Sequence, residues 1–170
     1  MAVHDPLTQL PNRTLFHDRL SHIIEVAERE NRKFAVASID LTEFKQINDN
    51  YGHDAGDTVL IEVGRRFSHV LRRSDTLARM GGDEFAAILA GDNIEASLDI
   101  ILSRIQESLV QSIHLEDGDS ILASANVGVA VFPDHATDAD LLFKYADIAM
   151  YQAKRSGAGY AIFDQERNSQ

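Results

Sequence analysis

The chain has 170 residues, a length that predicts one domain spanning 1–170 at about 150 residues per domain. Apolar residues make up 44% and charged residues 25%, an ordinary globular mix that excludes a disordered chain, a collagen and a coiled-coil rod. With 16 Lys and Arg against 27 Asp and Glu, the net charge is −11, which argues against a protein that coats a nucleic-acid polymer. A small basic pocket for one nucleotide is still compatible with this charge.

The sequence contains no Cys, which excludes disulfides, thiolate metal sites and a Cys nucleophile, and fits a reducing compartment. The first residues lack the basic segment and apolar core of a signal peptide. No apolar run approaches the roughly 18 residues of a membrane span. We expect a cytoplasmic domain without direct membrane insertion, either free or as the cytoplasmic part of a longer, membrane-anchored protein.

The first half of the chain predicts two helices and one strand. Asn12 is a suitable N-cap for an amphipathic helix over about 13–30. Residues 34–39 are short and apolar, which predicts a buried strand that runs into Asp40. Residues 48–52 have the composition of a loop, and a second helix is expected over about 55–72.

The second half predicts a hairpin, two more helices and two more strands. Strands are expected over 76–80 and 84–90, joined through Gly81-Gly82, and a helix is expected over 94–109. A turn at Asp117-Gly118 precedes a long strand over 120–132, which Pro133 ends. A Thr137–Asp140 capping pair then opens a helix that Gly157 closes, and a last strand is expected over 160–163. The polar end 164–170 is expected to fray. Hairpin strands mixed with helices predict an α+β fold, in which helices cover a largely antiparallel five-stranded sheet.

Common nucleotide and metal motifs, including the P-loop, the dinucleotide fingerprint and the zinc-protease helix, do not occur, and the seven His residues are scattered. Two features stand out. Asp40 ends an apolar strand, and Gly81-Gly82-Asp83-Glu84 puts two carboxylates at a hairpin tip. If the strand of Asp40 lies beside the hairpin, these carboxylates could converge on Mg²⁺, which prefers oxygen ligands. The alternative is an ordinary solvated turn.

Four sequence blocks occur in a fixed order: Asp5–Arg13 (DPLTQLPNR), Phe44–Asp57 (FKQINDNYGHDAGD), Arg79–Phe85 (RMGGDEF) and Ala146–Lys154 (ADIAMYQAK). Together they resemble the GGDEF domains, the diguanylate cyclases of bacterial signalling. The resemblance covers nearly the whole chain and implies a fold like the nucleotidyl cyclases and the polymerase palm. It also implies condensation of two GTP into cyclic di-GMP and two pyrophosphates across a homodimer, with Mg²⁺, or Mn²⁺ as an alternative, as cofactor.

The resemblance assigns roles to individual residues. Metal contacts fall to Asp40, the Leu41 carbonyl, Asp83 and Glu84. Catalytic roles fall to Asp83 and Glu84, and the resemblance does not decide which of the two binds metal and which helps to deprotonate the 3′-hydroxyl. Catalytic roles also fall to Gly81 and Gly82, which let the backbone approach the α-phosphate. The implied GTP-binding residues are Glu43, Phe44, Lys45, Asn48, His53, Asp57 and Lys154. Local pattern alone favours Asn48 as a turn residue and Asp57 as a first-turn helix residue, and it is compatible with each Lys as a solvated side chain; the resemblance reverses the preference for Asn48 and Asp57.

Arg72-Arg73-Ser74-Asp75 matches the family's R-x-x-D product-inhibition site, which implies feedback binding of cyclic di-GMP through Arg72 and Asp75. The alternative is an Arg near a helix C-terminus followed by a turn Asp. The chain departs from the family at Ala158, where a phosphate-binding Arg is usual, and at Thr42, where a second Asp is common. Arg155 is a candidate to compensate for the missing Arg.

Three functions therefore stay open from the sequence. The first is an active diguanylate cyclase domain, a fragment of a longer signalling protein with a fused sensor or effector domain. The second is a weakly active or inactive module that binds GTP or cyclic di-GMP and regulates a fused partner. The third is a dimerisation or regulatory part with a vestigial site.

Overall fold

The structure, a computed structural model, describes residues 2–168. The helices are α1 Arg13–Glu30, α2 Phe44–Tyr51, α3 His53–Val70, α4 Ile94–Glu107, α5 Ala139–Ser156 and α6 Gln165–Asn168. The strands are β1 Phe34–Leu41, β2 Thr76–Gly81, β3 Glu84–Leu89, β4 Ile113–His114, β5 Ser120–Ile121, β6 Ala125–Phe132 and β7 Tyr160–Ile162. Within this part of the chain, no helix is both long and apolar enough to cross a bilayer.

Five strands form one sheet in the order β2-β3-β1-β6-β7, and β4 and β5 pair separately. Only the β6–β7 pair is parallel, so the predicted α+β fold with a mostly antiparallel five-stranded sheet is confirmed. Residues 34–39 are fully buried, as expected for a short apolar run in the middle of a sheet covered on both faces. The C-terminal end of this central strand therefore meets the hairpin on one side and β6 on the other.

Alternate residues of β1 enter two separate hydrophobic clusters, because successive side chains of a strand point to opposite faces. Ala37 and Ile39 pack with residues of α3 and α4. Val36 packs with Phe16 of α1 and Leu142 of α5. Asp40 lies four residues beyond Val36 on the same strand, so its side chain points to the same face, which α1 and α5 cover.

Helix α5 crosses this face in direct contact with the backbone of β6. A Cβ built on Gly128 would lie 1.9 Å from the Met150 nitrogen and 2.1 Å from the Ala146 oxygen, both main-chain atoms of α5. Only glycine permits this approach, which brings the polar side chains of α5 onto the end of β1.

Some local predictions were wrong. Residues 48–52 belong largely to α2, because Phe44 is buried and Ile47 packs on the core, which makes a polar stretch amphipathic. The predicted strand 120–132 is two strands, since Leu122 is 73% exposed and the Ser124 carbonyl accepts a hydrogen bond from the Thr42 amide. Asp138, rather than Thr137, caps α5.

The polar end was expected to fray, but 165–168 form a short helix; residues 169–170 lie outside the described part. Strand β4, which pairs with β5 around the predicted Asp117-Gly118 turn, was not predicted. The remaining elements agree with prediction to within about two residues at their ends, as expected for boundaries read from a sequence. Asn12 caps α1 by accepting from the Leu15 amide, and Gly157 ends α5 with a left-handed φ of 72°.

Candidate nucleotide and metal site

The carboxylates at the end of β1 and at the hairpin tip lie together. Asp40 pairs across the strands with Glu84 of β3, and the Leu41 amide donates to the Asp83 carbonyl at 3.2 Å. The Asp83 side chain also lies near enough to Asp40 to help raise its pKa. The condition on which the predicted metal site depended, Asp40 beside the Gly-Gly turn, is therefore met.

The crowding of acidic groups perturbs their titration. Partial burial and the neighbouring Asp83 raise the pKa of Asp40 to about 6, while the charge of Lys154 opposes the rise. Partial burial raises the pKa of Glu84, reinforced by Asp147 and opposed by Arg13. Each raised pKa means that burial and the neighbouring acidic groups disfavour the ionised carboxylate, which a bound cation would instead stabilise.

Asp147 is a charged neighbour that we did not assign a role from the sequence. It lies on α5, and the fully buried Ser38 hydroxyl donates to its Oδ1 at 2.5 Å. Ser38 lies beside Gly128 across the strands, so the close packing of α5 at that glycine brings Asp147 into range. The only sequence signal was its place in the Ala146–Lys154 block; its contact is with a residue 109 positions away.

The donor set suits Mg²⁺ only in part. In residues 2–168, no three or more His, Asp or Glu side chains already form a group that could hold a metal ion. Asp40 and Asp83 nevertheless supply two adjacent carboxylates in place of a full cage. Mg²⁺ is commonly bound through one or two carboxylates with substrate phosphates and waters completing the octahedron, so the residues present fit that mode.

The turn between β2 and β3 leaves open space beside its glycines. Gly81 has φ of 141° and Gly82 has φ of 51°, values that favour glycine. A Cβ built on either would meet nothing within 4 Å, so neither glycine is required by packing within this chain. The backbone conformation explains why glycine occurs here, and the open space gives a ligand access to the main chain.

The α2–α3 junction brings Asn48 against the first turns of α3, close in the chain to Asp57. The Asn48 side chain lies directly against Gly56, where an added Cβ would be 1.9 Å from its Oδ1. Asp57 is the next residue along α3 and is exposed. A carboxylate can accept from the edge of a base and an amide can donate to it, so these two residue types suit base recognition.

The other predicted nucleotide contacts differ in accessibility. Phe44 is 8% exposed and packs in the core beside Gly56, so it is not accessible to a ligand in the way that the other predicted contacts are. Glu43 has φ of 55° at the start of α2. Glu43, Lys45, His53 and Lys154 are exposed.

Arg72 and Asp75 form a turn between α3 and β2. The Asp75 side chain is 1% exposed, and its two oxygens accept from the Arg72 and Ala90 amides. The Arg72 guanidinium donates to the Ala90 carbonyl and remains 48% exposed. The Asp75 carboxylate that we expected to bind cyclic di-GMP is thus engaged by backbone amides, and Arg72 is the accessible member of the pair.

Ala158 is exposed directly after α5, and its amide donates to the Ser156 hydroxyl at 3.3 Å. Arg155 is also exposed, in the last turn of the helix. Thr42, the other departure, accepts from the Asn126 side chain at 3.2 Å and so links the exit of β1 to β6.

The sheet order, with carboxylates at the end of the central strand and in the adjacent hairpin turn, defines a palm-like cyclase architecture. The model of the family "Diguanylate cyclase, GGDEF domain" matches residues 2–159. The chain therefore belongs to the GGDEF family.

Similar proteins include the diguanylate cyclase TpbB of Pseudomonas aeruginosa, 44% identical over 93% of this chain and 36% of that protein. The bifunctional diguanylate cyclase/cyclic di-GMP phosphodiesterase MucR of the same species is 41% identical over 99% of this chain and 24% of that protein. A structure of a delta-N mutant of TpbB from Pseudomonas aeruginosa, comprising only the GGDEF domain, superposes with a TM-score of 0.92 at 42% identity, covering 95% of this chain and 94% of the other. The chain thus spans about a third or less of these two relatives.

Proposed function

We propose that the chain is a diguanylate cyclase domain that condenses two GTP into cyclic di-GMP and two pyrophosphates across a homodimer. The observation that carries the proposal is the meeting of Asp40, Asp83 and Glu84 at the open Gly-Gly turn. Membership of a family of diguanylate cyclases gives the reaction class. The single domain would extend over 1–170 and work in the cytoplasm, joined to a sensor or effector domain in a longer protein.

In each half-reaction, the 3′-oxygen of one GTP attacks the α-phosphorus of the other. The bond from that phosphorus to the β-phosphate oxygen breaks, and pyrophosphate leaves. Bound Mg²⁺ would neutralise phosphate charge, with Asp40, Asp83 and the Leu41 carbonyl as its proposed ligands. Glu84, whose pKa is raised by burial, would join that set or accept the proton of the 3′-hydroxyl.

Base selection is assigned to the α2–α3 junction. Asp57 would accept from N1–H and the 2-amino group of guanine, a pattern that adenine lacks, while the Asn48 amide would donate to a ring acceptor. Lys45 and Lys154 would contact phosphate as point charges, with Glu43 and His53 at the rim. We also propose that the Arg72 guanidinium binds a phosphate or guanine of cyclic di-GMP. Asp75 would stabilise the turn that carries Arg72 by accepting from backbone amides.

The test is conversion of GTP by the purified chain with Mg²⁺, followed by chromatography. We expect cyclic di-GMP and pyrophosphate, a rate that rises with the square of protein concentration at low concentration, and loss of product in Asp83→Ala. First-order dependence on protein would contradict the requirement for two copies. Product formed equally by Asp83→Ala would contradict the proposed site.

A second candidate is a nucleotide-binding module that turns over poorly and regulates a fused partner. Ala158 favours it, because a lost charge-assisted phosphate contact costs about 1.5–3 kcal/mol. Calorimetry separates the two functions: GTP binding without product, even at high protein concentration, supports the module. An Ala158→Arg variant that gains activity would identify the missing contact as the cause.

A further inference from the structure

Arg79 makes an unusual set of contacts beside the Gly-Gly turn. Its Nε and Nη2 both donate to the carbonyl of Gly82, at 3.1 and 2.9 Å. Its Nη1 donates to Asp5 at 3.0 Å, and both side chains of this ion pair are mostly buried, at 16% and 14% exposed. A rigid guanidinium thus links one backbone carbonyl of the turn to a segment 74 positions away.

Asp5 is itself held in place. Its Oδ2 accepts from both the amide and the hydroxyl of Thr8, and Oδ1 accepts from Arg79. Partial burial acts to raise the pKa of Asp5, but the Thr8 and Arg79 contacts outweigh it and leave the pKa lowered. The carboxylate is therefore ionised at neutral pH and fixes the direction of Arg79.

These contacts determine how the turn is oriented. Because a peptide unit is planar and trans, fixing the Gly82 carbonyl toward Arg79 points the Asp83 amide N–H the opposite way. The next carbonyl, that of Asp83, is fixed separately by the Leu41 amide. Two successive carbonyls are thus held from two sides, although the flanking glycines alone would allow many conformations.

We propose that Arg79, oriented by Asp5, is a positioning residue for the reaction: it fixes the Gly82–Asp83 peptide so that the Asp83 N–H faces a substrate phosphate. The inference rests on the proposed function and deepens it. A donor fixed before the reaction stabilises the charge that develops on phosphoryl oxygens in the transition state. It needs no rearrangement when the substrate reacts.

The kinetic test uses two variants. Arg79→Lys keeps the positive charge but loses the planar guanidinium and its several N–H donors. Asp5→Asn keeps the side-chain size but weakens the ion pair with Arg79. We expect kcat to fall about 10- to 100-fold in Arg79→Lys, less in Asp5→Asn, with the KM for GTP changed by less than about threefold. Arg65→Lys is the matched control: it alters an exposed Arg–Glu62 pair on α3 and should turn over normally. Arg79→Lys with a normal kcat would overturn the proposal.

A second measurement does not require turnover. In the nucleotide-free protein, nitrogen–proton NMR spectra should show a slowly exchanging Arg79 Nε–H, and a shift of the Asp83 amide resonance in Arg79→Lys that is absent in Arg65→Lys. An Asp83 resonance that stays at its wild-type position in Arg79→Lys overturns the proposal, whatever the activity. If the wild type forms no cyclic di-GMP, the proposed function fails. The NMR comparison of Arg79→Lys with Arg65→Lys then still tests whether Arg79 fixes the Gly82–Asp83 peptide.

Discussion

Replacing Gly56 by Ala should weaken GTP binding while leaving the fold intact. The added Cβ would lie 1.9 Å from the Oδ1 and 3.0 Å from the Cγ of Asn48, so the amide group has to move. The atoms that must give way are side-chain atoms rather than backbone, namely the flexible end of Asn48 and the Phe44 ring at 3.2 Å. Ala is also about 1 kcal/mol more favourable than Gly inside a helix. The free energy of unfolding should therefore change by no more than about 1 kcal/mol in either direction.

The effect on binding follows from what the Asn48 amide contributes. A neutral hydrogen bond is worth about 0.5–1.5 kcal/mol net, so losing it should raise the Kd of a non-hydrolysable GTP analogue about 2- to 12-fold. Gly64→Ala is the matched control in the same helix, because its Cβ would meet side chains alone, with Leu10 nearest at 3.2 Å and Phe85 and Thr8 at ordinary contact distance. It gains the same helix propensity without touching Asn48.

The assay is calorimetric titration of the GTP analogue with Mg²⁺, beside thermal unfolding of each variant. In an Asn48→Ala background, Gly56→Ala should add little further loss, since both changes act through one side chain. Equal affinity of Gly56→Ala and Gly64→Ala would refute the reasoning. So would a full additive loss in the double variant, because the steric effect would then not pass through Asn48.

Three further predictions concern the α1–α5 face. Gly128→Ala should cost about 1–3 kcal/mol or more in urea unfolding, because its Cβ meets α5 main chain; an unchanged midpoint would contradict this. The pKa of Asp40 is raised to about 6 in the folded protein, so the folded state holds this proton more tightly than the unfolded state does. The resulting stabilisation of the fold is fully present below about pH 4 and is lost as the pH rises through 6. The metal-free wild type should therefore lose thermal stability relative to Asp40→Asn over that window, and a constant difference would exclude the shift. Asp147→Asn retains an acceptor for Ser38 but removes a charge, so Mn²⁺ binding followed by electron paramagnetic resonance should weaken while the fold is retained.

The sequence predicted those parts of the molecule that depend on local pattern. The apolar run 34–39 and the Gly81-Gly82 turn are each determined by neighbouring residues, so the central strand and the hairpin were found. Helix α2 was missed because its polar residues favour loops, and only burial of Phe44 against the rest of the fold makes it a helix. Its existence depends on tertiary packing that no local window contains.

In the candidate site too, some residues could be found from local pattern, whereas others depend on contacts that only the folded chain makes. Asp40, Asp83 and Glu84 were identified because carboxylates stand out at a strand end and a glycine turn. The roles of Asp147 and Asp75 were not predictable from pattern, since one depends on a hydrogen bond to Ser38 and the other on accepting the Ala90 amide after β3. Likewise Arg79 appeared only as part of a motif, and its contact with Asp5 requires the folded N-terminal turn.

The charge of the site makes the two proposed ligands depend on one another. A triphosphate brought to Asp40, Asp83 and Glu84 would meet like charge, and Asp147 adds to it. The nearby cations, Lys154 and Arg13, offset this only in part, since the pKa values of Asp40 and Glu84 are still raised. A divalent cation without nucleotide would find only a carboxylate pair, whereas nucleotide without cation would be repelled. Each ligand should therefore bind much more weakly alone than together, and by linkage each should raise the affinity of the other by the same factor.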